Sequence, residues 1–195
     1  MEGGLVVTDD EELYHILLAL RAHGWTRNLP KFNRLTGEKS DDPFEESYRF
    51  VLPGYNLRPL EMSGALGVEQ LKKLPALVTG RRANGARWTQ AMAGHPLFRI
   101  QREIGASSWF GFSLVLRPDA GLTRREVLAR FDELGFETRP IVSGNFTKNP
   151  VLAMMDHSLH GPMTHAEDID RNGFFIGNHH YDIAEAIAIV AAFRG

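Results

Sequence analysis

From Gly94 to the end of the chain, short runs rich in aromatic and β-branched residues alternate with stretches of helical periodicity. No other feature narrows the fold as much, because strands alternating with helices predict a small α/β domain. Residues 97–101 and 107–116 read as strands. Thr123-Arg124-Arg125-Glu126 is a capping box, in which the threonine hydroxyl and the glutamate carboxylate each satisfy a backbone N–H at a helix start. It opens a helix over 124–134, and Gly135 ends it. A strand at 136–140, a helix at 166–172, a strand at 174–176 and a helix at 183–193 follow.

The first half is less regular. Leu5-Val6-Val7-Thr8 reads as a short buried strand after a glycine pair. Asp9-Asp10-Glu11-Glu12 places acids where a helix macrodipole favours them, ahead of Leu13, Ile16, Leu17 and Leu20 at helical spacing. His23-Gly24 marks the end of that helix. Residues 25–53 have no sustained period and contain Pro30, Gly37 and Pro43. Their aromatics (Trp25, Phe32, Phe44, Tyr48, Phe50) are too many for a disordered segment, so an ordered loop that covers something is predicted. A long helical region starts at Arg58-Pro59, with Met62, Ala65, Leu66, Val68, Leu71 and Leu74 along it and Pro75 as a kink or boundary. Ser63, Gly64, Ala65 and Gly67 are small enough to admit a close backbone, either from within the chain or from a dimer partner. The domain division that follows is 1–92 and 93–195.

Composition removes several function classes. A net charge of -2 and a pI near 6.4 leave no field for nucleic acid or anionic lipid. With no cysteine there is no disulfide framework, thiolate metal site or cysteine nucleophile. The apolar run at 183–193 contains Glu185 and is too short to cross a bilayer, and Met1-Glu2-Gly3-Gly4 has no basic leader, so a cytoplasmic setting is expected. His157, His160, His165, His179 and His180 match no metal-ligand spacing, and no metal is expected. Gly-x-Ser-x-Gly, P-loop and Rossmann glycine patterns are absent. The five lysines (31, 39, 72, 73, 148) lie in polar stretches that would not desolvate an amine for Schiff-base chemistry.

Three polar groups remain. Gly54-Tyr55-Asn56-Leu57-Arg58 precedes a predicted helix start, where Asn56 and free backbone N–H groups suit an anion, or where Asn56 caps the helix. His23-Gly24-Trp25-Thr26-Arg27 groups an imidazole, an indole and a guanidinium that suit an anionic sugar nucleotide, or else forms only a helix C-terminus. Asn178-His179-His180-Tyr181 follows a predicted strand end, where α/β proteins place ligands.

Taken in order, Glu2-Gly3-Gly4-x-Val6-Val7-Thr8-Asp9-Asp10-Glu11-Glu12-Leu13, Leu20-Arg21-x-His23-Gly24 and Gly54-Tyr55-Asn56-x-Arg58-x-x-Glu61-Met62 resemble the DegT/DnrJ/EryC1/StrS sugar aminotransferases across essentially the whole chain. Residues 23–28, 44–50 and 171–180 are most similar to the branch that removes the C3 hydroxyl from GDP-linked 4-keto-6-deoxy-hexoses for lipopolysaccharide O-antigen. The resemblance implies the C-terminal half of a fold-type-I pyridoxal-phosphate-dependent transferase: a remnant of the cofactor-binding large domain, with covering loop and interface helix, plus a small α/β domain. It also implies pyridoxal 5'-phosphate and pyridoxamine 5'-phosphate as cofactor forms, glutamate as amino donor, a nucleotide sugar as substrate and a homodimer. Asn56 is then expected at the cofactor phosphate across the dimer, and His23, Arg27, Tyr48, Arg58 and His179 at the sugar nucleotide. In that family the lysine or histidine that works on the cofactor lies a few residues before Glu-Gly-Gly. The catalytic base is therefore expected upstream of Met1, together with the ring-stacking aromatic and the acid that pairs with the pyridinium nitrogen. An ordinary sugar aminotransferase and a non-catalytic remnant are the alternatives.

Overall fold

Asp10 starts the first regular element: its carboxylate accepts from the Leu13 N–H and caps α1, Glu11–Arg21. In this computed structural model, which describes residues 3–195, the chain divides into two compact units at Lys72/Lys73. Within the first unit, α1 buries His15 and Ala19. His15 Nδ1 accepts the Arg34 N–H at 3.1 Å, which ties a short antiparallel pair, β1 (Phe32–Asn33) and β2 (Gly37–Glu38), to the helix. A single helical turn, α2 (Pro43–Glu46), is capped by Asp42. The loop predicted over 25–53 is thus ordered, by a hairpin and one turn.

The strand expected at 5–8 does not form. Leu5, Val6 and Val7 are 88%, 71% and 82% exposed, and no described residue pairs with them. A strand without a neighbour has unpaired backbone groups and no face to bury, so apolar β-branched sequence alone cannot hold one. Glu2, the first residue of the Glu-Gly-Gly motif, lies outside the described residues.

The long helix α3 spans Glu61–Ala91, starting later than Arg58-Pro59 suggested and running unbroken through Pro75. Proline removes one backbone hydrogen bond there, but the turns beyond it are anchored by packing. Trp88 is fully buried and stacks on Phe112, with centroids 4.5 Å apart and planes at 10°. Arg81 donates to the carbonyls of Ser108, Trp109 and Phe110, holding a turn in which Trp109 has φ 49°. Asn84 Nδ2 donates to the carbonyls of His179 and Tyr181 at 3.0 and 2.8 Å. Gly80 permits the same approach, since a Cβ there would overlap the His180 carbonyl. By contrast, a Cβ on Gly64 or Gly67 would meet only open space.

In the second unit, β3 (Phe98–Ile100), β4 (Gly111–Leu116), β5 (Thr138–Arg139) and β6 (Gly173–Gly177) form one antiparallel sheet in the order β3-β4-β6-β5. The capping box works as read: Thr123 and Glu126 exchange their bonds and open α4, Arg124–Glu133. Two further helices, α5 (Thr164–Asn172) and α6 (Ala184–Ala192), fall where the periodicity put them. Register sets Phe112 opposite Ile176 and Leu114 opposite Phe174. Alternation then sends Phe112, Leu114 and Leu116 into a core with Val127 and Phe131 of α4 and Ile187 and Val190 of α6. Phe131 meets Phe174 edge-on at 5.2 Å and Phe193 at 5.1 Å, geometries that ring quadrupoles favour.

Buried His95 sits at the edge of this core. Its ring stacks on Phe98 at 5.1 Å, and its Nδ1 accepts the Leu97 N–H at 3.2 Å. Burial, then the positive charges of Arg194 and Arg117, hold its pKa below the ordinary imidazole value of 6.5. The neutral ring is therefore what the fold stabilises, and the unfolded chain takes up the proton first as pH falls. This contribution to stability is complete above pH 6.5 and is lost as pH falls below it. Urea denaturation of the wild-type chain at pH 7.5 and 5.5 should show the loss. His95→Asn, which keeps an acceptor but does not titrate, should flatten that part of the profile.

Candidate functional site

The candidate site grows from the way α1 ends. Gly24 N–H donates back to Ala19 O at 2.7 Å, while His23 N–H donates forward to Tyr55 O at 2.8 Å. Both residues take left-handed backbone, with φ 64° at His23 and 82° at Gly24. Tyr55 and Leu57 then donate to Leu20 O and Arg21 O, so Asn56 is paired by its backbone with Ala22. A second bridge joins Trp25 to Phe50, with Val51 N–H on Gly24 O and Thr26 N–H on Arg49 O. The two segments approach so closely that a Cβ on Gly54 would overlap the Gly24 nitrogen and one on Gly24 would overlap the Leu52 carbonyl.

This pairing corrects two readings of Asn56. The helix begins at Glu61, so Asn56 does not cap it, and the amides of Tyr55 and Leu57 are spent on α1 carbonyls rather than offered to an anion. What stays available is side-chain chemistry. Asn56 and Arg58 are exposed, and neither side chain has a hydrogen-bonding partner among the described residues.

Around Trp25 the structure gathers three of the residues singled out from sequence. The His23 imidazole meets the indole edge-on at 5.8 Å, Tyr48 lies tilted at 5.5 Å, and the Arg27 guanidinium carbon sits 4.2 Å from the ring centroid. Phe50 stacks parallel to the same indole at 5.4 Å. Tyr48 is 70% exposed. The result is an open aromatic shelf edged by a cation and an imidazole.

The shelf is held from below by a group that sequence reading passed over. Glu46 accepts from Thr26 Oγ1 at 2.7 Å, from Arg49 Nη1 at 2.8 Å and from Ser40 N–H at 2.9 Å. The Thr26 hydroxyl first, then Arg49 and the Ser40 amide, hold its pKa down to about 2. Its only advance signal was an acid within a loop too aromatic to be disordered.

His179 belongs to the second unit. Its ring stacks on Tyr181 at 4.6 Å and 19°, just past the end of β6. Both rings help to line an open cleft of about 520 Å³, with Phe112 and Ile187 among its apolar walls and Arg139, paired with Glu137, at its edge. Asn178 faces inward instead, donating to the carbonyls of Arg81 and Trp109.

A lysine poised for Schiff-base chemistry has a lowered pKa. Lys31, hydrogen-bonded to Asp41 at 2.6 Å, and Lys148, bound to Glu167 and Asp170, are instead held above the ordinary lysine value by those carboxylates. Lys39 donates to Leu29 O. The donor set of Asn56, Arg58, Arg27 and His23 suits the anionic end of a phosphorylated cofactor or of a nucleotide.

A model of the DegT/DnrJ/EryC1/StrS aminotransferase family matches residues 1–193. The chain belongs to that family. It is 58% identical over 188 residues to a GDP-4-keto-6-deoxy-D-mannose 3-dehydratase of Yersinia pseudotuberculosis, covering 96% of this chain and 48% of the relative. To the Escherichia coli O55:H7 enzyme of the same name it is 55% identical, with the same coverage. A solved GDP-4-keto-6-deoxymannose-3-dehydratase with a trapped PLP-glutamate geminal diamine superposes with a TM-score of 0.90 at 53% identity, covering 95% of this chain and 48% of that one. A mutant of that enzyme with bound GDP-perosamine gives 0.89 at the same identity and coverage. The chain thus spans about half the length of the curated relatives it matches, and it has the mixed α/β fold of the corresponding part of these enzymes.

Two outcomes follow from the site's construction. Gly54→Ala forces the interlocked segments apart and should cost about 1–3 kcal/mol, as overpacking does, read as a lowered urea midpoint. In a carboxyl-carbon NMR titration, Glu46 should stay ionised through the usual carboxylate range and protonate only near pH 2. Its contribution to stability is present above pH 4.5 and lost as pH falls toward 2; a midpoint at 4.5 would contradict the hub described above.

Proposed function

We propose that this chain is the C-terminal part of a cytoplasmic pyridoxal-phosphate-dependent 3-dehydratase of a GDP-linked 4-keto-6-deoxy-hexose, acting in lipopolysaccharide deoxysugar synthesis. The observation that carries it is the 58% identity to a GDP-4-keto-6-deoxy-D-mannose 3-dehydratase over 96% of this chain. Residues 1–92 are assigned to the cofactor-binding large domain and 93–195 to the small domain. No helix among the described residues is long and apolar enough to cross a membrane.

In this reading Asn56 grips the cofactor phosphate through its unpartnered amide, supported by its fixed backbone place beside Ala22. Arg27 and His23 bind the phosphates of the sugar nucleotide, Tyr48 lines the same pocket, and Arg58 and His179 add polar contacts to the substrate. Pyridoxal phosphate, when bound, supplies an electron sink that no side chain here can provide. The work of this chain's residues is to bind and orient the two anions. The proton-transferring base is assigned to the part of the enzyme upstream of Met1. Glutamate is the proposed amino donor, by analogy with the adduct trapped in the solved relative.

The active form is proposed to be a dimer in which Asn56 serves the partner's site. Gly64 and Gly67 face open space, and Met62, Leu66 and Leu71 on the same stretch of α3 are exposed, which suits a second copy of the chain.

To test the assignment, this chain can be joined to the half of the Yersinia relative that it does not match. With pyridoxal phosphate, glutamate and GDP-4-keto-6-deoxymannose, the expected result is loss of the C3 hydroxyl, followed by mass spectrometry. Asn56→Ala should weaken cofactor affinity about tenfold to a hundredfold, the worth of a hydrogen bond to a charged group. An amino sugar as the product, or unchanged cofactor affinity, overturns the assignment.

A further inference from the structure

Arg27 shares with Arg21 and Arg58 of its unit the lack of any carboxylate partner among the described residues, but of these three only Arg27 is held over an aromatic ring. Arg34 is paired with Glu11 and Arg49 with Glu46, whereas no carboxylate or carbonyl accepts from the Arg27 side chain among the described residues. It is nevertheless held, because its guanidinium carbon sits 4.2 Å from the centroid of the Trp25 indole, well inside cation–π range. A guanidinium held over a ring, with no carboxylate or carbonyl accepting from it, keeps its N–H donors unspent, since all of them lie in its plane and point outward from the edge. A salt bridge would have consumed that edge.

His23 is placed by the same ring, edge-on at 5.8 Å and 88°, on a backbone with φ 64° that a non-glycine residue seldom adopts. The indole itself is fixed by other rings and by its backbone: Phe50 stacks on it at 5.4 Å and 12°, Tyr48 lies at 5.5 Å, and the Trp25–Phe50 bridge pins the main chain. Its Nε1–H is buried with no partner, so hydrogen bonding does not explain why an indole stands here. The use made of it is its π surface.

We propose that Trp25 is a positioning residue, which holds the Arg27 guanidinium and the His23 imidazole with their hydrogen-bonding edges open for the phosphates of the nucleotide; this rests on the nucleotide-sugar reading above. Trp25 touches no phosphate itself. It supplies an uncharged surface that orders a cation without competing for its donors, so less rotamer freedom is left to lose on binding.

Two readouts on this chain separate the platform from the ligand. Without ligand, the Arg27 side-chain protons should be shifted upfield in NMR spectra by the indole ring current, and Trp25→Leu should return them to ordinary values. With GDP as probe in calorimetric titrations, Trp25→Leu should weaken binding about two- to fivefold, the size of one exposed cation–π contact. Arg27→Ala should weaken it at least as much, and the double variant should lose less than the sum of the two single losses. Trp25→Tyr keeps a π face and should retain most of the affinity, which guards against a mere loss of folding in Trp25→Leu. Unshifted Arg27 protons in the unaltered chain, or additive losses in the double variant, overturn the positioning role. Shifted protons together with GDP binding that Arg27→Ala leaves unchanged would instead sink the nucleotide reading and leave the platform standing.

Discussion

Main chain meets main chain where the end of α1 crosses residues 49–57, and only glycine allows the approach. Gly24 and Gly54 each occupy the space that the other segment's side chain would need. Because of this contact, His23, Trp25 and Asn56 hang from one small antiparallel pairing rather than from two independent loops. Backbone hydrogen bonds set the spacing, and the aromatic rings and Glu46 fill in around it. The left-handed conformation of His23 is tolerated because the amides on either side of the turn have fixed acceptors.

The second unit is built on a different principle. Its sheet is held by an apolar face on which Phe98 of β3 and Phe174 of β6 pack edge to face against Phe131 of α4. The C-terminal half of α3 closes that core with Trp88 and Met92, and its polar side chains are spent on carbonyls of neighbouring loops. Arg81, Asn84 and Asn178 therefore act as stitches: each satisfies main-chain groups that the turns at 108–110 and 179–181 would otherwise leave unpaired. Buried amides of this kind explain how irregular segments next to a cleft keep a fixed shape.

The first unit shows how much of a site hydrophobic patterning conceals. Trp25, Tyr48 and Phe50 were visible as an excess of aromatics in a segment without periodicity, and from that an ordered loop could be expected. Which ring faced which was not legible, because stacking depends on the two backbone bridges and on the hydrogen bonds converging on Glu46, residues 20 positions from Thr26. Asn56 was picked out beside a helix start that lies further along the chain. Its side chain is exposed and unpartnered among the described residues, while the neighbouring amides that were expected to be free are taken by α1 carbonyls.

What the sequence by itself determined was local: the Asp10 cap, the Thr123–Glu126 capping box, the helix stops at glycine, and the alternation of strands and helices after Gly94. These depend on groups within a few residues of one another, so their energetics are complete in a short window. Tertiary structure decided the rest. The 5–8 segment has strand-like residues but no neighbour, Pro75 sits inside a helix because Trp88 and Arg81 anchor the turns beyond it, and Arg27 keeps an open edge because an indole rather than a carboxylate lies against it. In each case the deciding partner is one that no local pattern names, and the energy that settles the conformation comes from packing and pairing rather than from propensity.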